Sequence, residues 1–478
     1  MHLFRPIWVA AGLGLALFFL PTFFLATSQL RAENVASSEQ YDLSMRGMIR
    51  LIHEKPAQFE ALWAERRRNK ERAISSQFSA SERAAALQNI QWEWAAGLIN
   101  YPYFHQRETG GVVAANWQAK QEAIKSIQFN EEANLEHSNF QLLIQAWLHD
   151  TAGQLLKQDP MLMRGDNRWL RANFAALETT ITNRKVKAHF MSKLLAEHID
   201  ENGAKNVLPQ IVSAENNGVD ATQIGKFRAA YEQTTQAPTD HVAYTYQSVD
   251  DVDLQLHVFP TKTEAKSAPV FLWFHGGSWS TGHWSYCPVL CRALQNSGFI
   301  VVQVEYRTSQ RFDGTPLNAL ADAGRAIDWI IAHSNELHID PSKLMVGGFS
   351  SGAALASQMA VLNNTKVRAA AYISGGFDPS KDTWYNSVVG PLRDTKPLSP
   401  LLMVDRNSPP QILFHAKDDV MCVYQDAQDL SRKLTALEIP NRLVSFEQGG
   451  HFFVFKDPAD RQRISMELAN FVEQLKWK

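Results

Sequence analysis

The sequence predicts an α/β fold: a mostly parallel sheet with helices on both faces, preceded by a separate all-helical region and an N-terminal apolar segment. Three observations lead to this prediction. Short apolar runs alternate with helical patterns from 239 to 478, and apolar residues recur at helical spacing from 39 to 233. Residues 7–26 carry no charge. Strands that alternate with helices form parallel sheets buried on both faces.

The composition is that of a globular protein and excludes some classes of function. The chain has 478 residues, of which 45% are hydrophobic and 20% charged, and its formal net charge is −2. A nearly neutral chain has no overall basic field, so we expect no nucleic-acid partner. The basic run Arg66–Lys70 is interpreted as a solvated helix face, with a docking patch as the alternative.

Three cysteines, Cys287, Cys291 and Cys422, are present. They are too few for a disulfide framework or for a zinc site of four thiolates. Cys287 and Cys291 lie four residues apart, so one disulfide stays open as an alternative.

The N-terminal segment 1–32 is interpreted as a targeting element. Arg5 precedes the uncharged stretch Ile7–Ala26, which is about long enough to span a bilayer. A cleaved secretory signal and an uncleaved membrane anchor are both kept, with a buried helix as the plain alternative. Either targeting interpretation places the rest of the chain outside the cytoplasm, in the periplasm or secreted, with membrane contact only through this segment.

The region 39–233 is expected to hold seven or eight helices and has no assigned role. Ser79 and Glu82 have the spacing of a capping box, and Pro102 is among the residues expected to separate helices. Its tryptophans are interpreted as core residues, with a carbohydrate- or lipid-binding cleft as the alternative; they are Trp92, Trp94, Trp117, Trp147 and Trp169. Residues 234–239 are the expected linker.

The α/β half, 239–478, begins with an expected hairpin at 242–258, where apolar residues alternate. The further strands expected are Val270–Phe274, Phe299–Val304, Leu344–Val346, Ala369–Ile373, Ile412–Phe414 and Leu443–Phe446. The helices expected between them include Leu317–Ile331 and Ser351–Leu362.

The central motif is Gly348–Gly352, which reads Gly-Phe-Ser-Ser-Gly between a strand and an Ala-rich helix. This is the context of a nucleophile elbow, in which a serine sits in a strained turn above the sheet. Side chains two residues before and after Ser350 would collide with neighbouring backbone, so glycine fits there. The helix N-terminus behind the serine stabilises negative charge.

A second motif, His275-Gly276-Gly277, follows the strand Val270–Phe274. Glycine at this place lets backbone N–H groups approach a ligand closely, although a simple tight exit from the strand would look the same. We expect His275 to brace the loop rather than to transfer protons.

A serine nucleophile needs a base and an acid that orients the base. His451 follows the strand Leu443–Phe446 and is the favoured base. His415 is its rival. The acid candidates are Asp378, Asp418 and Asp419, which all follow expected strands.

On these residues the α/β half resembles the α/β-hydrolase fold of the esterase/lipase superfamily, in the H-G-G branch with hormone-sensitive-lipase-like and feruloyl-esterase-like proteins. Supporting fragments are Gly282, Tyr306-Arg307, Asp322 and Asp340-Pro341. The resemblance covers residues 239–478 only. It makes Gly276, Gly277 and Ser351 the expected oxyanion hole, although Ser278 stands where the family often has Gly. His415–Asp419 is similar to the family's H-G-x-x-D segment, which favours Asp419 as the acid, with Ala416 in place of Gly.

The resemblance implies hydrolysis of small-molecule carboxylic esters through an acyl-enzyme, without metal or cofactor. An amidase, a formamidase or a peptidase could use the same three residues. An envelope binding protein with an inactive hydrolase module is the alternative from another class.

Overall fold

The computed structural model describes residues 42–262, 267–287, 289–381, 385, 386, 389 and 395–477. The expected targeting segment 1–32 lies outside these residues. Of the helices that are described, none combines the length and the apolar character that a bilayer crossing requires.

The first part of the described chain is entirely helical. Its α-helices are α1 Met45–Arg50, α2 Pro56–Arg72, α3 Ala80–Thr109, α4 Gln118–Lys125, α5 Ser138–Gln158, α6 Arg168–Thr180, α7 Arg184–Asn202, α8 Leu208–Asn216 and α9 Ala221–Thr235. Nine helices are thus described where seven or eight were expected. The capping box of Ser79 and Glu82 is present at the start of α3. The expectation that Pro102 separates two helices was wrong, because α3 runs through it.

The tryptophans of this helical region belong to its interior. Trp92 and Trp147 are each 4% exposed, and the other three pack partly buried against hydrophobic clusters. Two residues of the basic run Arg66–Lys70 make contacts within the helical region. Arg66 donates to the carbonyl oxygens of Asp42 and Gly47, and Lys70 forms an ion pair with Glu93. These contacts support structural roles for both features.

The α/β half is built on a sheet of eight described strands. They are β1 Val242–Val249, β2 Val252–Phe259, β3 Ala268–Phe274, β4 Ile300–Val304, β5 Ile339–Phe349, β6 Ala369–Ile373, β7 Gln411–Ala416 and β8 Asn441–Phe446. Their order is β1-β2-β4-β3-β5-β6-β7-β8. The β1–β2 and β2–β4 pairs are antiparallel and every other pair is parallel, so the sheet is mostly parallel, as expected.

Helices cover both faces of this sheet. They are α10 Leu290–Asn296, α11 Ser309–Phe312, α12 Pro316–Ala332, α13 Ser351–Leu362, α14 Pro400–Met403, α15 Tyr424–Ala436, α16 Phe453–Lys456 and α17 Pro458–Gln474. Two separate hydrophobic clusters, one on each face, bury the strands. Burial follows position in the sheet: β3, β4, β6 and β7 are buried along almost their whole length, whereas β1 at the edge has no fully buried residue.

The register of the central strands brings two sequence motifs together. Phe274 of β3 pairs with Gly348 of parallel β5, so both strands end at the same edge of the sheet. The segment after β3 therefore lies beside the turn that carries Ser350. Further along that segment Cys287 and Cys291 form a disulfide, which the sequence had left open, and Cys422 takes no part in it.

Candidate active site

Ser350 occupies a strained turn between β5 and α13. Its φ and ψ are 55° and −122°, outside the regions that residues with a side chain normally adopt. A Cβ on Gly348 would lie 2.2 Å from the Gly352 backbone, and one on Gly352 would lie 2.1 Å from the Phe274 carbonyl oxygen. Only glycine fits at either position, so the two glycines are what allow the serine to stand at this edge of the sheet.

His451 connects Ser350 to a carboxylate. Its Nε2 lies 2.8 Å from Ser350 Oγ, and its Nδ1 lies 2.9 Å from Asp419 Oδ2. All three side chains are buried, with exposures of 4–6%. A base within hydrogen-bond reach of a hydroxyl, held by a carboxylate on its other nitrogen, can take the hydroxyl proton and then carry the positive charge.

Asp419 is held as an ionised carboxylate by donors on several sides. Its Oδ1 accepts from the N–H groups of Met421 and Cys422, both at 2.9 Å, and its Oδ2 also lies 3.2 Å from Nε2 of His415. Burial alone would raise the pKa of Asp419, but the hydrogen bonds from His415 and His451 and the electrostatic interaction with these two side chains hold it well below its usual range. His415 thus lies behind the acid and not beside Ser350.

The other two acid candidates have different partners. Asp378 accepts from Ser399 Oγ at 2.8 Å and pairs with Lys381 at 2.9 Å. Asp418 accepts from the N–H groups of Gly449 and Gly450, at 3.1 and 2.8 Å. Of the three carboxylates, Asp419 is the one that the structure brings to His451.

Two positioning contacts were missed from the sequence. Asp418 was considered only as an acid, whereas it shapes the loop before His451. Ser374 Oγ donates to the His451 carbonyl oxygen at 3.0 Å. The one signal for Ser374 was its place directly after β6, at the same edge of the sheet as Ser350.

The segment after β3, which we call the His275 loop (residues 275–283), packs against the nucleophile. A Cβ on Gly276 would lie 3.2 Å from the Cβ of Ser350, so this backbone touches the reacting side chain. Gly277 has a φ of 123°, which favours glycine. Ser351 is the first residue of α13, where N–H groups lack intrahelical acceptors. Gly276 and Ser351 thus lie beside Ser350, and Gly277 follows Gly276 in the loop.

The contacts of His275 are with Tyr306 and its own loop. Its ring stacks on Tyr306 with centroids 4.2 Å apart, and Tyr306 Oη donates to the His275 carbonyl oxygen at 2.6 Å. Burial lowers the pKa of His275 to about 4, so the ring is neutral. These contacts are those of a residue that braces a loop.

Aromatic rings pack around His451. The centroids of the Phe349 and Phe452 rings both lie 5.1 Å from that of the His451 ring, and Phe455 packs 5.4 Å from Phe349. Phe349 is buried, whereas Phe452 is 39% exposed, so Phe452 presents apolar surface beside His451. Among the described residues, no group of three or more His, Cys, Asp or Glu side chains is arranged to hold a metal ion.

Comparisons with known proteins give similarity to the α/β half. Residues 255–390 match the BD-FAE family model. Lipase 2 of Moraxella sp. is 30% identical over 125 residues, 24% of this chain and 28% of that protein. The probable carboxylic ester hydrolase LipM of Mycobacterium tuberculosis is 27% identical over 191 residues, 34% and 44% of the two chains. The chain thus spans less than half the length of these curated relatives.

Among solved structures, a thermophilic esterase of Thermogutta terrifontis with bound propionate superposes with a TM-score of 0.45 and 24% identity, over 48% of this chain and 93% of that one. The match to the family model includes Ser350 and the His275 loop. The C-terminal half of this chain resembles the α/β-hydrolase carboxylesterases of the H-G-G branch, and within it residues 255–390 match the BD-FAE family model.

Proposed function

We propose that this protein is a serine carboxylesterase that hydrolyses small-molecule carboxylic esters. One observation carries the proposal: Ser350 Oγ, both nitrogens of His451 and Asp419 Oδ2 form one line of short contacts beside the His275 loop. The named activities of the similar proteins, a lipase and a probable carboxylic ester hydrolase, support the same reaction class.

In the first half of the proposed reaction, Ser350 Oγ attacks the ester carbonyl carbon while His451 Nε2 takes the hydroxyl proton. The carbonyl oxygen becomes an oxyanion that accepts from the N–H groups of Gly276, Gly277 and Ser351. The carbon–oxygen bond to the alcohol then breaks, His451 returns the proton to the departing alcohol oxygen, and the acyl group stays on Ser350.

In the second half, water attacks the acyl carbon and His451 takes its proton. The bond to Ser350 Oγ breaks, the serine regains the proton from His451, and the carboxylic acid leaves. Asp419 stabilises the imidazolium in both halves, because it stays ionised beside Nδ1.

An amidase or formamidase is the second candidate, since the same three residues would cleave a C–N bond. A peptidase would use them too. The ring of Phe452, which is 39% exposed and lies 5.1 Å from the His451 ring, favours an apolar acyl or alcohol group over a peptide backbone, which needs polar partners. An inactive binding module would not require the aligned Ser350, His451 and Asp419.

The test is hydrolysis of p-nitrophenyl esters of increasing acyl length by the wild-type protein and by Ser350→Ala. We expect turnover by the wild type and a loss on the order of 10⁶ in kcat for the variant. Ser297→Ala, which removes an exposed hydroxyl bonded to the Ala293 carbonyl oxygen, is the matched control and should keep full activity. Turnover of aryl formamides but not esters would favour the amidase instead.

We also propose that the protein works outside the cytoplasm, in the periplasm or secreted. The uncharged stretch Ile7–Ala26 supports this location, and so does the disulfide between Cys287 and Cys291, since disulfides persist in oxidising compartments. Fractionation of producing cells tests it: the protein should be recovered outside the cytoplasm with two of its three cysteines protected from alkylation. Recovery in the cytoplasm with all three thiols reactive would contradict it.

A further inference from the structure

The helical region, to which no role is assigned, touches the His275 loop directly. The Gly282 N–H donates to the carbonyl oxygen of Glu201, near the end of α7, at 3.0 Å. The next residue of the loop, His283, packs against Gly203 of the helical region. A Cβ on Gly203 would lie 2.5 Å from the His283 ring. Gly282 in turn lies against the start of the loop, where a Cβ would be 2.1 Å from Nδ1 of His275. The end of α7 therefore packs against the His275 loop, which carries Gly276.

A second support for the loop is the short helix α11. The N–H groups of Ser309 and Gln310 donate to the carbonyl oxygens of Trp279 and Ser280, at 2.9 and 3.0 Å. These two bonds hold the middle of the loop. The helical region holds α11 in turn, since Asn202 Nδ2 donates to Gln310 Oε1 at 3.1 Å.

The strongest link between α11 and the helical region is a buried ion pair. Arg311 donates to both carboxylate oxygens of Asp166, from Nε at 2.9 Å and from Nη2 at 2.7 Å. Arg311 is 5% exposed and Asp166 is 8% exposed. Asp166 also accepts from Asn206 Nδ2 at 3.1 Å and from the Asn167 N–H at 2.8 Å. A bidentate ion pair of this kind fixes both the distance between the two side chains and their relative orientation.

We infer that Asp166 is a positioning residue for the oxyanion hole: through Arg311 it fixes α11, and α11 holds the His275 loop with Gly276 against Ser350. This inference rests on the proposed esterase function. It makes the helical region a working part of the active site, because two of the three proposed oxyanion donors, Gly276 and Gly277, stand on a loop that this region contacts from two sides.

The inference predicts an effect on the chemical step more than on substrate binding. Oxyanion donors act mainly on charge that develops in the transition state, and displacement of such a group by about 1 Å costs on the order of 10²-fold in rate. We therefore expect Asp166→Asn, made in the full chain, to lower kcat for a p-nitrophenyl ester by about 10- to 100-fold and to change KM by less than about 3-fold.

Two further readouts separate positioning from general damage. Phenylboronic acid forms a tetrahedral adduct on a serine Oγ, so its inhibition constant should rise in proportion to the fall in kcat. Hydrogen–deuterium exchange of the backbone amides of residues 276–283 should become faster. The milder variant Gln310→Met, which removes only the bond from Asn202, should move all three readouts in the same direction by less, and it serves if Asp166→Asn does not fold.

The matched control is Asp150→Asn. Asp150 pairs with the buried Lys120 at 2.9 Å inside the helical region. The Asp150→Asn variant should leave kcat, the inhibition constant of phenylboronic acid and the hydrogen–deuterium exchange of the His275 loop unchanged. The inference is overturned if Asp166→Asn folds with unchanged kcat and unchanged loop exchange, or if Asp150→Asn changes the loop as much as Asp166→Asn does.

Failure of the proposed function gives a different result. In that case the wild-type protein hydrolyses no ester and binds no boronate, while loop exchange still reports whether Asp166 holds the loop. Faster exchange in Asp166→Asn but not in Asp150→Asn would then support the clamp without the esterase.

Discussion

Asp418 and Gly450 are joined by a hydrogen bond of 2.8 Å from the Gly450 N–H to Oδ1, which ties the loop after β7 to the loop after β8. The first loop carries Asp419 and the second carries His451. The two neighbouring carboxylates thus do different work: Asp419 touches the imidazole, and Asp418 holds the backbone that presents it.

Substitution of each carboxylate by its amide should separate these roles. We expect Asp419→Asn to lower kcat by about 10⁴-fold, because an amide cannot stabilise the imidazolium or keep its tautomer. Asp418→Asn keeps one acceptor for the loop and is exposed, so its loss should be less than about tenfold. Steady-state kinetics on one p-nitrophenyl ester measures both, and equal losses would count against the assignment of Asp419 as the acid.

Gly276→Ala should reduce activity without unfolding the protein. The added Cβ would lie 2.7 Å from Phe349 Cδ1 and 3.2 Å from Ser350 Cβ, so the loop must move away from the nucleophile. Displacement of an oxyanion donor predicts a fall in kcat of about 10²- to 10³-fold. Gly324→Ala is the control: nothing lies within 4 Å of its Cβ in α12, so activity should stay and stability should rise by about 0.5–1 kcal/mol. Unchanged kcat in Gly276→Ala would remove Gly276 from the oxyanion hole.

The rate of ester hydrolysis should fall as the pH is lowered, because only a neutral imidazole can take the serine proton and His451 is the proposed base. The pKa of Asp419 lies well below its usual range, so its carboxylate stays ionised throughout and does not contribute to this acid limb. The measurement is kcat/KM against pH under conditions where chemistry limits the rate. A flat profile would contradict the assignment of His451 as base.

Glu201 should make the stability of the protein depend on pH. Burial, together with the charges of Glu197 and Asp200, raises the pKa of its side chain to about 7. Between its ordinary pKa and 7 the folded state holds a proton that the unfolded chain releases, so the free energy of unfolding falls as the pH rises through this range.

Glu201→Gln removes the free-energy cost of ionising the Glu201 carboxyl in the folded state. It keeps the backbone carbonyl that accepts from the Gly282 N–H. We expect the variant to be more stable than the wild type by about 1–3 kcal/mol at pH 8, with little difference near pH 4.5. Thermal unfolding at both pH values measures it, with the exposed Glu232→Gln as control. Equal stability of Glu201→Gln and wild type at pH 8 would show that the Glu201 carboxylate is not penalised in the folded state.

Much of the α/β half could be predicted because its signals are local. Alternation over residues 242–258 indicated the β1–β2 hairpin, and the apolar runs indicated β3 to β8, since burial on both faces demands continuous apolar strands. Gly348 and Gly352 were informative for the same reason: the steric demand of the turn at Ser350 falls on residues only two positions away. The prediction for Pro102 was wrong, because packing of the helix on both sides of Pro102 outweighs the loss of one backbone hydrogen bond.

The residue pattern predicted the fold class, the serine at the strand–helix turn and the favoured histidine. The family resemblance favoured Asp419 among three carboxylates, and neither gave the helical region a role. The folded chain was needed to see that Asp419 faces His451, that Asp418 connects two loops, and that Asp166 reaches Arg311 across 145 residues of chain. The difference lies in the range of the interactions. Backbone geometry and burial pattern are set by neighbours in sequence, whereas a hydrogen bond between distant residues depends on how whole elements pack, and residue spacing carries no record of that packing.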